Sequence, residues 1–377
     1  MLKVLSIFGT RPEAIKMAPV IKELARHPDR IVSRVCVTAQ HREMLDQVLN
    51  LFDIVPDYDL DLMRPNQSLA ALTARVFAEL DAVIAQEQPD WVLVQGDTTT
   101  VMVASLVAFY HRVKVGHVEA GLRTYDKWQP FPEEINRKVA GVVADLHFAA
   151  TETAKANLLR EGVDSAAIYV TGNPVIDALK MVAEMPYDMQ AGPLAGIPWD
   201  KRIILVTAHR RENFGQPLEN ICTALREIAE CYVQDVHLVY PVHLNPNVQG
   251  PVYRLLNAVS NITLLPPLDY LPMVHLMKRC TLVLTDSGGL QEEAPGLGKP
   301  VLVLRETTER PEAVTAGTAR LIGTDVTQIV TWAQRLLDSP AEYDTMARAV
   351  NPFGDGKAAM RIVDTLLRGV NVEASID

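Results

Sequence analysis

Cysteine is scarce in this sequence: Cys36, Cys222, Cys231 and Cys280 are the only four in 377 residues, and none forms a Cys-x-x-Cys pair. They lie singly in apolar strand or helix contexts, which excludes a disulfide scaffold and reads as the reduced thiols of a cytoplasmic protein. Long apolar runs are also missing. Nothing approaches the roughly 20 residues needed to cross a bilayer, so membrane insertion is excluded. The amino terminus, MLKVLSIFGTRPEA, leads into a turn and an amphipathic helix rather than a cleavage site, and reads as a first buried strand. Positive charge is outnumbered: 36 Lys and Arg against 46 Asp and Glu leave a net charge of −10. That argues against nucleic acid as a partner while allowing a local basic pocket. Two nucleotide signatures are absent as well. No G-x-G-x-x-G follows an expected strand, and PGLGKP fails as a P-loop because Glu293 stands at the required first glycine and Pro300 at the Ser/Thr. Neither NAD nor ATP is indicated, and no cofactor is expected.

What is present is alternation. KVLSIF, WVLVQ, KVGHVE and DLHFAA in the first half read as buried strands, as do RIILVTA, VHLVYP, NITLLPP, TLVLTD, KPVLVL and ARLIG in the second. Segments of helical period separate them, such as Leu69, Leu72, Val76, Leu80 and Ile84, or Leu218, Ile221, Leu225 and Ile228. The stretch MPYDMQAGPLAGIPWD, 185–200, with three prolines and two glycines, reads as a linker. The expected fold is therefore α/β: two Rossmann-like, doubly wound domains, residues 1–180 and 190–355, with a cleft between them. A closing amphipathic helix, about 359–377, is expected to return to the first domain.

TLVLTD followed by SGGLQEEAP is strand, tight turn, helix. Ser287, Gly288 and Gly289 would stand at the positive end of that helix, where a phosphate group is held by backbone N–H groups. A diphosphate suits them, and a glutamate one turn further along suits the hydroxyls of a ribose. The bland alternative is a plain turn followed by a solvated face carrying Glu292 and Glu293. Asp97 in QGDTTT and Glu119 in GHVEAGLRT follow strands, Glu133 and Glu134 open a helix in PFPEEINR, and His209, Arg210 and Arg211 follow a strand in TAHRREN. Asp97 and Glu133 also suit helix caps, and His209 suits a hydrogen-bonded strand end. His117 is expected to point away from Glu119 and to be structural. Three clustered carboxylates nevertheless point to acid/base chemistry. DYDLD, 57–61, has an aspartate spacing that some sugar-nucleotide transferases use for a metal, but it lies in a Pro-flanked loop, and no metal site is expected.

GTRPEAIKMAP, TAQHREMLDQVL, GDTTT, GHVEAGLRT, PEEINR, TGNPVIDAL, VTAHRREN, YPVHLNPNV, LTDSGGLQEEAP, GKPVLVLRETTERPEAV and NPFGDGKA together resemble the non-hydrolysing UDP-N-acetylglucosamine 2-epimerases, in order from residue 3 to about 360. The resemblance implies a glycosyltransferase-B type fold and the interconversion of UDP-N-acetylglucosamine and UDP-N-acetylmannosamine by anti elimination of UDP and re-addition to 2-acetamidoglucal, supplying a precursor of surface polysaccharide. It further implies a homodimer. Asp97, Glu119 and Glu133 match the family's catalytic carboxylates, and His209 a histidine that assists elimination and holds the phosphates. Arg11 and Lys16 match nucleotide-site residues, Ser287, Gly288 and Gly289 the diphosphate cradle, Glu293 the ribose carboxylate and Arg310 a binding arginine. Glu292 has no such match. Leu268 and Met273 stand near the uracil where some relatives have glutamine and phenylalanine. Gln40, Gln47, Arg210 and His243 are candidates for a second, activating substrate position. A hydrolysing 2-epimerase, a glycosyltransferase of the same fold and a catalytically silent nucleotide-sugar sensor are the alternatives.

Overall fold

The computed structural model describes residues 1–38, 42–64 and 67–373. The chain divides into two compact units, Met1–Ala178 with Phe353–Asp377, and Leu179–Pro352. In unit 1, strands β1 (Leu2–Phe8), β2 (Ile31–Val37), β3 (Tyr58–Asp59), β4 (Trp91–Gln95), β5 (Lys114–Ala120), β6 (Leu146–Ala149) and β7 (Ile168–Val170) alternate with helices. These are α1 (Arg11–Leu24), α2 (Arg42–Leu51), α3 (Leu69–Glu87), α4 (Thr99–Tyr110), α5 (Glu133–Val143), α6 (Glu152–Arg160) and α7 (Pro174–Glu184), the last running on into unit 2. Unit 2 continues with β8 (Arg202–Thr207), α8 (Gln216–Cys231), β9 (Val236–Pro241), α9 (Pro246–Leu256), β10 (Ile262–Leu265), α10 (Tyr270–Arg279) and β11 (Leu282–Thr285). It closes with α11 (Gly288–Gly296), β12 (Val301–Val303), α12 (Pro311–Thr315), β13 (Ala319–Leu321), α13 (Val326–Asp338) and α14 (Pro340–Ala347); the last helix, α15 (Ala358–Glu373), belongs to unit 1.

Both sheets are parallel, in the orders β3-β2-β1-β4-β5-β6-β7 and β10-β9-β8-β11-β12-β13. Parallel strands are covered on both faces, so their side chains are apolar in both directions. Leu5 and Ile7 of β1 and Val92 and Val94 of β4 pack with Leu72, Val76 and Leu80 of α3 and Val101, Ala104 and Val107 of α4. In unit 2, Ile204 and Val206 of β8, Leu238 and Tyr240 of β9 and Leu284 of β11 pack with Ile221, Leu225 and Ile228 of α8. The strand order reverses direction beside β1 in the first sheet and beside β8 in the second. At such a reversal the crossovers leave to opposite sides and the strand-end loops splay apart, which is where open α/β sheets bind ligands.

Helix α15 packs along α1, and its first free N–H groups, those of Ala358 and Ala359, donate to the Asp177 carboxylate at 3.2 and 2.9 Å. Gly172 and Gly354, both with positive φ, meet backbone to backbone, and a Cβ on Gly172 would come within 3.1 Å of the Gly354 Cα. Only glycine allows that approach.

Three expectations are corrected. The stretch 185–200 is not a free linker: Leu194 and Ile197 are buried, Tyr187 stacks on His275 with centroids 5.0 Å apart, and the division between units falls within α7. Strands β2, β3 and β7 went unanticipated because Ser33 and Arg34 interrupt the apolar run of β2 and the other two are only two and three residues long. Finally, regular alternation would put His117 and Glu119 on one face, since they are two apart. They are separated instead by an irregularity in β5 at Glu119.

His117 and His147 are cross-strand neighbours on β5 and β6. Both are buried, and neither Nδ1 has a hydrogen-bond partner among the described residues. Burial pushes both imidazoles down to about 4. The folded pKa lies below the unfolded value, so the unfolded chain takes up protons first as pH falls. Stability is expected to drop from about pH 6.5 to about pH 4, by at most roughly 3 kcal/mol per histidine. Calorimetry of the chain beside a His117→Gln/His147→Gln variant checks this. The variant should lose less of its melting temperature across that window, and the comparison separates the histidines from Glu13 and Asp177, whose burial moves their pKa upward.

Candidate active site

In unit 1 the site is built on the loops after β1, β4 and β5. Thr10 caps α1 in a capping box with Glu13. The buried Glu13 carboxylate accepts from Gly9 N at 3.0 Å and Thr10 N at 2.7 Å, and also from Thr98 Oγ1 at 2.7 Å. One side chain thus ties the loop carrying Arg11 to the loop carrying Asp97, and its burial raises its pKa against those hydrogen bonds. Thr98, not Asp97, caps α4, and Pro132 precedes α5 without a side-chain cap while Glu133 is its first helical residue. Helix capping therefore explains neither Asp97 nor Glu133. Asp97 keeps 26% of its side chain exposed and is bonded by Arg137 Nη2, while Asn136 Nδ2 donates to its backbone carbonyl at 3.0 Å. Glu133 is half-buried. Its neighbour Glu134 is fully buried and structural, accepting from Thr124 N and Tyr125 N at 3.1 Å each and from Arg137 Nη1 at 3.2 Å.

Glu119 stands apart by its backbone. It has φ +63 at the point where the β5–β6 register shifts, a left-handed conformation that costs a non-glycine residue on the order of 1–3 kcal/mol. The distortion turns its carboxylate out of the strand's alternation. Lys16 Nζ donates to both oxygens, at 2.7 and 2.6 Å, Asn173 Nδ2 donates at 2.9 Å, and Gln95 Nε2 is a further donor. The carboxylate lies 3.8 Å from where a Cβ on Gly96 would stand, next to Asp97. Asn173 is itself fixed by the glycine contact described above, since its N–H donates to Phe353 O at 2.7 Å. Lys16, expected at a nucleotide, is bonded to Glu119. Arg11 is the first, half-buried residue of α1.

In unit 2 the site surrounds the start of α11. Ser287 precedes the helix and its own side chain makes no capping hydrogen bond, and the first N–H groups of a helix carry a positive field. A Cβ on Gly288 would lie 3.6 Å from Arg210 Nη2 and 3.9 Å from Arg310 Cζ. Two guanidinium groups therefore flank a bare backbone at a helix N-terminus. The glutamates of the motif are not solvated. Glu292, 3% exposed, is bonded by Arg310 Nε, and Glu293 accepts from Tyr270 Oη at 2.8 Å. That bond ties Glu293 to the start of α10, where Leu268 is buried and Met273 half-buried. Behind the arginines, Arg305 is 5% exposed and pairs with Glu212 and Glu309. Burial alone would raise Glu309, but Arg305, Arg210 and Arg310 hold it down at about 2. His209 stacks on His243 with centroids 5.3 Å apart. Burial lowers its pKa, Asp286 opposes this, and His243 and Arg210 add to it.

Of the remaining candidates, Gln47 is exposed on α2 in unit 1, and Gln40 lies outside the described residues. Within DYDLD, Asp57 accepts from Val35 N and Arg34, and Asp59 pairs with Arg42.

The family model for UDP-N-acetylglucosamine 2-epimerase matches residues 22–367. The chain belongs to the UDP-N-acetylglucosamine 2-epimerase family. It is 57% identical over 371 residues to the UDP-N-acetylglucosamine 2-epimerase of Escherichia coli K12, covering 97% of this chain and 98% of that one. The UDP-GlcNAc 2-epimerase of Neisseria meningitidis, solved bound to UDP-GlcNAc, is 51% identical with a TM-score of 0.87, covering 97% of this chain and 100% of that one. The Methanocaldococcus jannaschii enzyme, solved with UDP-GlcNAc and UDP, is 34% identical with a TM-score of 0.79, again covering 97% and 100%. The two α/β units are those of the glycosyltransferase-B type, and this chain is an epimerase.

Sequence reasoning about this epimerase missed Glu13, Gln95, Asn173 and Asp286. For Glu13 the capping-box spacing was a usable signal; the others act through contacts distant in sequence. Because the nearest atoms to a Cβ on Gly288 lie at ordinary contact distance, Gly288→Ala is expected to leave the melting temperature within about 2 °C. It should weaken binding of inorganic pyrophosphate at least about fivefold, read by calorimetric titration. Unchanged affinity would remove the α11 terminus from the anion site.

Proposed function

We propose that this epimerase interconverts UDP-N-acetylglucosamine and UDP-N-acetylmannosamine without hydrolysis, by elimination and re-addition. The proton on C2 lies beside no carbonyl and is not acidic. It becomes removable when the bond from C1 to the diphosphate oxygen breaks, the electron pair leaving with UDP. A carboxylate takes the C2 proton, its electrons form the C1–C2 double bond, and 2-acetamidoglucal and UDP result. Protonation of C2 on the opposite face, with UDP re-adding at C1, gives the epimer; no redox step is required. The observation that carries this reading is the start of α11, which the Ser287 side chain does not cap, flanked by the Arg210 and Arg310 guanidinium groups. Charge growing on a leaving diphosphate needs fixed positive partners of that kind.

In this reading Asp97, Glu119 and Glu133 move the protons, and His209 supports the departing diphosphate together with Ser287, Gly288, Gly289 and Arg310. Glu293 takes the ribose hydroxyls, Leu268 and Met273 flank the uracil, and Arg11 and Lys16 serve the nucleotide site. Gln40, Gln47 and His243, with Arg210 in addition to its place beside the diphosphate, serve a second, activating substrate molecule. Exposed Phe109 and Tyr110 on α4 and Val142 on α5 support a homodimer, which sedimentation should show at twice the 41.6 kDa chain mass. Four free cysteines support a cytoplasmic site of action, supplying precursor for surface polysaccharide; cell fractionation checks the location.

Turnover of UDP-N-acetylglucosamine alone in D2O, followed by NMR, is expected to place deuterium at C2 of both intact sugar nucleotides. Accumulation of free N-acetylmannosamine would identify a hydrolase instead, and a requirement for an acceptor a transferase. Asp97→Asn and Glu119→Gln should each lower kcat by about 100-fold or more while UDP still binds; full activity in both would leave only a nucleotide-sugar sensor's use for them.

A further inference from the structure

Asp286 directly follows β11, stands one residue before Ser287 and is fully buried. One oxygen, Oδ2, accepts three hydrogen bonds: from His209 N at 2.7 Å, Arg210 N at 2.8 Å and Asn213 Nδ2 at 3.0 Å. The other, Oδ1, has no hydrogen-bond partner among the described residues. It faces His209 Nδ1 at 3.5 Å, slightly longer than a direct hydrogen bond, as such contacts often are before a substrate is bound. The groups around the imidazole are Asp286, the exposed His243 stacked on it and Arg210 beside it. His243 does not compete for the carboxylate, because its Nδ1 accepts from Asn245 N at 3.1 Å.

We infer that Asp286 is the positioning residue of His209: its Oδ2 sets the loop and its Oδ1 holds the imidazole proton on Nδ1, so that Nε2 is the nitrogen presented to the reacting molecule. A buried carboxylate with one oxygen saturated by backbone and amide donors has its second lone pairs directed at a single partner. For a neutral imidazole that partner must be N–H, which fixes the tautomer. The catalytic consequence rests on the function proposed above; the tautomer does not.

Asp286→Asn separates the two duties. The amide keeps one oxygen, which the three donors at His209 N, Arg210 N and Asn213 Nδ2 draw to the Oδ2 position. The NH2 group then faces Nδ1 and demands an acceptor there, inverting the tautomer. In protein labelled with 15N-histidine, long-range proton–nitrogen correlation at pH 8, with His209→Gln to assign the resonance, should show Nδ1–H in the wild type and Nε2–H in Asp286→Asn. A neutral wild-type His209 protonated on Nε2, or the same tautomer in both proteins, would overturn the inference, and the wild-type spectrum decides even where the variant does not fold. In turnover, kcat of Asp286→Asn should fall at least about 100-fold with UDP affinity kept within about threefold. Asn213→Ala, which loosens the same loop without facing the imidazole, should lower kcat less than tenfold. Equal losses in the two variants would reduce Asp286 to a loop anchor. A switched tautomer in a chain that does not turn over UDP-N-acetylglucosamine would sink the proposed function alone; turnover with an unswitched tautomer would sink this inference alone.

Discussion

The loops that carry Arg11, Asp97, His209 and Ser287 are placed by one constraint on the sheets: the reversal of strand order beside β1 and again beside β8. A parallel sheet buries both faces, so most polar groups able to meet a ligand lie at strand ends. At a reversal the two adjacent loops diverge and leave backbone exposed between them. In unit 1 those loops bring Arg11 and Asp97 to the carboxyl edge of the sheet. In unit 2 they bring His209 and Ser287. The Glu13 and Asp286 carboxylates then perform one task in the two units, since each crosses from one loop of the reversal to the other by hydrogen bonds.

Glu119 shows what such placement demands of the backbone. A strand interior directs side chains up or down, and neither direction serves a group that must face the strand-end edge. The left-handed residue solves this at an energetic cost, and that cost is offset by bonds from Lys16, Gln95 and Asn173. Asn173 in turn is held by the backbone contact of Gly172 with Gly354, residues 182 positions apart in the chain (354 − 172). The packing of the closing segment into unit 1 is thereby coupled to the orientation of a single carboxylate.

The sheet-and-helix alternation was legible in the sequence because burial on both strand faces writes an unbroken apolar run, and because helix starts carry side-chain caps such as Thr10 and Thr151. The strand, turn and helix around Ser287 to Gly289 were legible for a related reason: a strand followed by small residues and then a helix admits few backbone paths. What was not legible depends on distance in sequence. Nothing local marks Glu119 as left-handed, Asn173 as its donor or Asp286 as the partner of His209. The stretch 185–200 misled because proline and glycine report an irregular backbone, not an unpacked one; Leu194 and Ile197 are both buried. Glu292 escaped assignment because its partner Arg310 lies 18 positions further along.

The pairing of Arg310 resolves the odd company of a helix start suited to an anion with two glutamates in one short motif. An unpaired arginine near a diphosphate would bind it strongly at rest and would adopt many rotamers before doing so. Glu292 behind Arg310 fixes its planar fork in place and cancels part of its net charge. Attraction to a resting anion falls, whereas the oriented N–H dipoles still respond in full to charge that grows on an oxygen already in contact. That difference between resting and developing charge is what accelerates a departure. It also accounts for both glutamates on α11 without bringing either carboxylate to the phosphates: one holds the arginine, and the other is bonded by Tyr270.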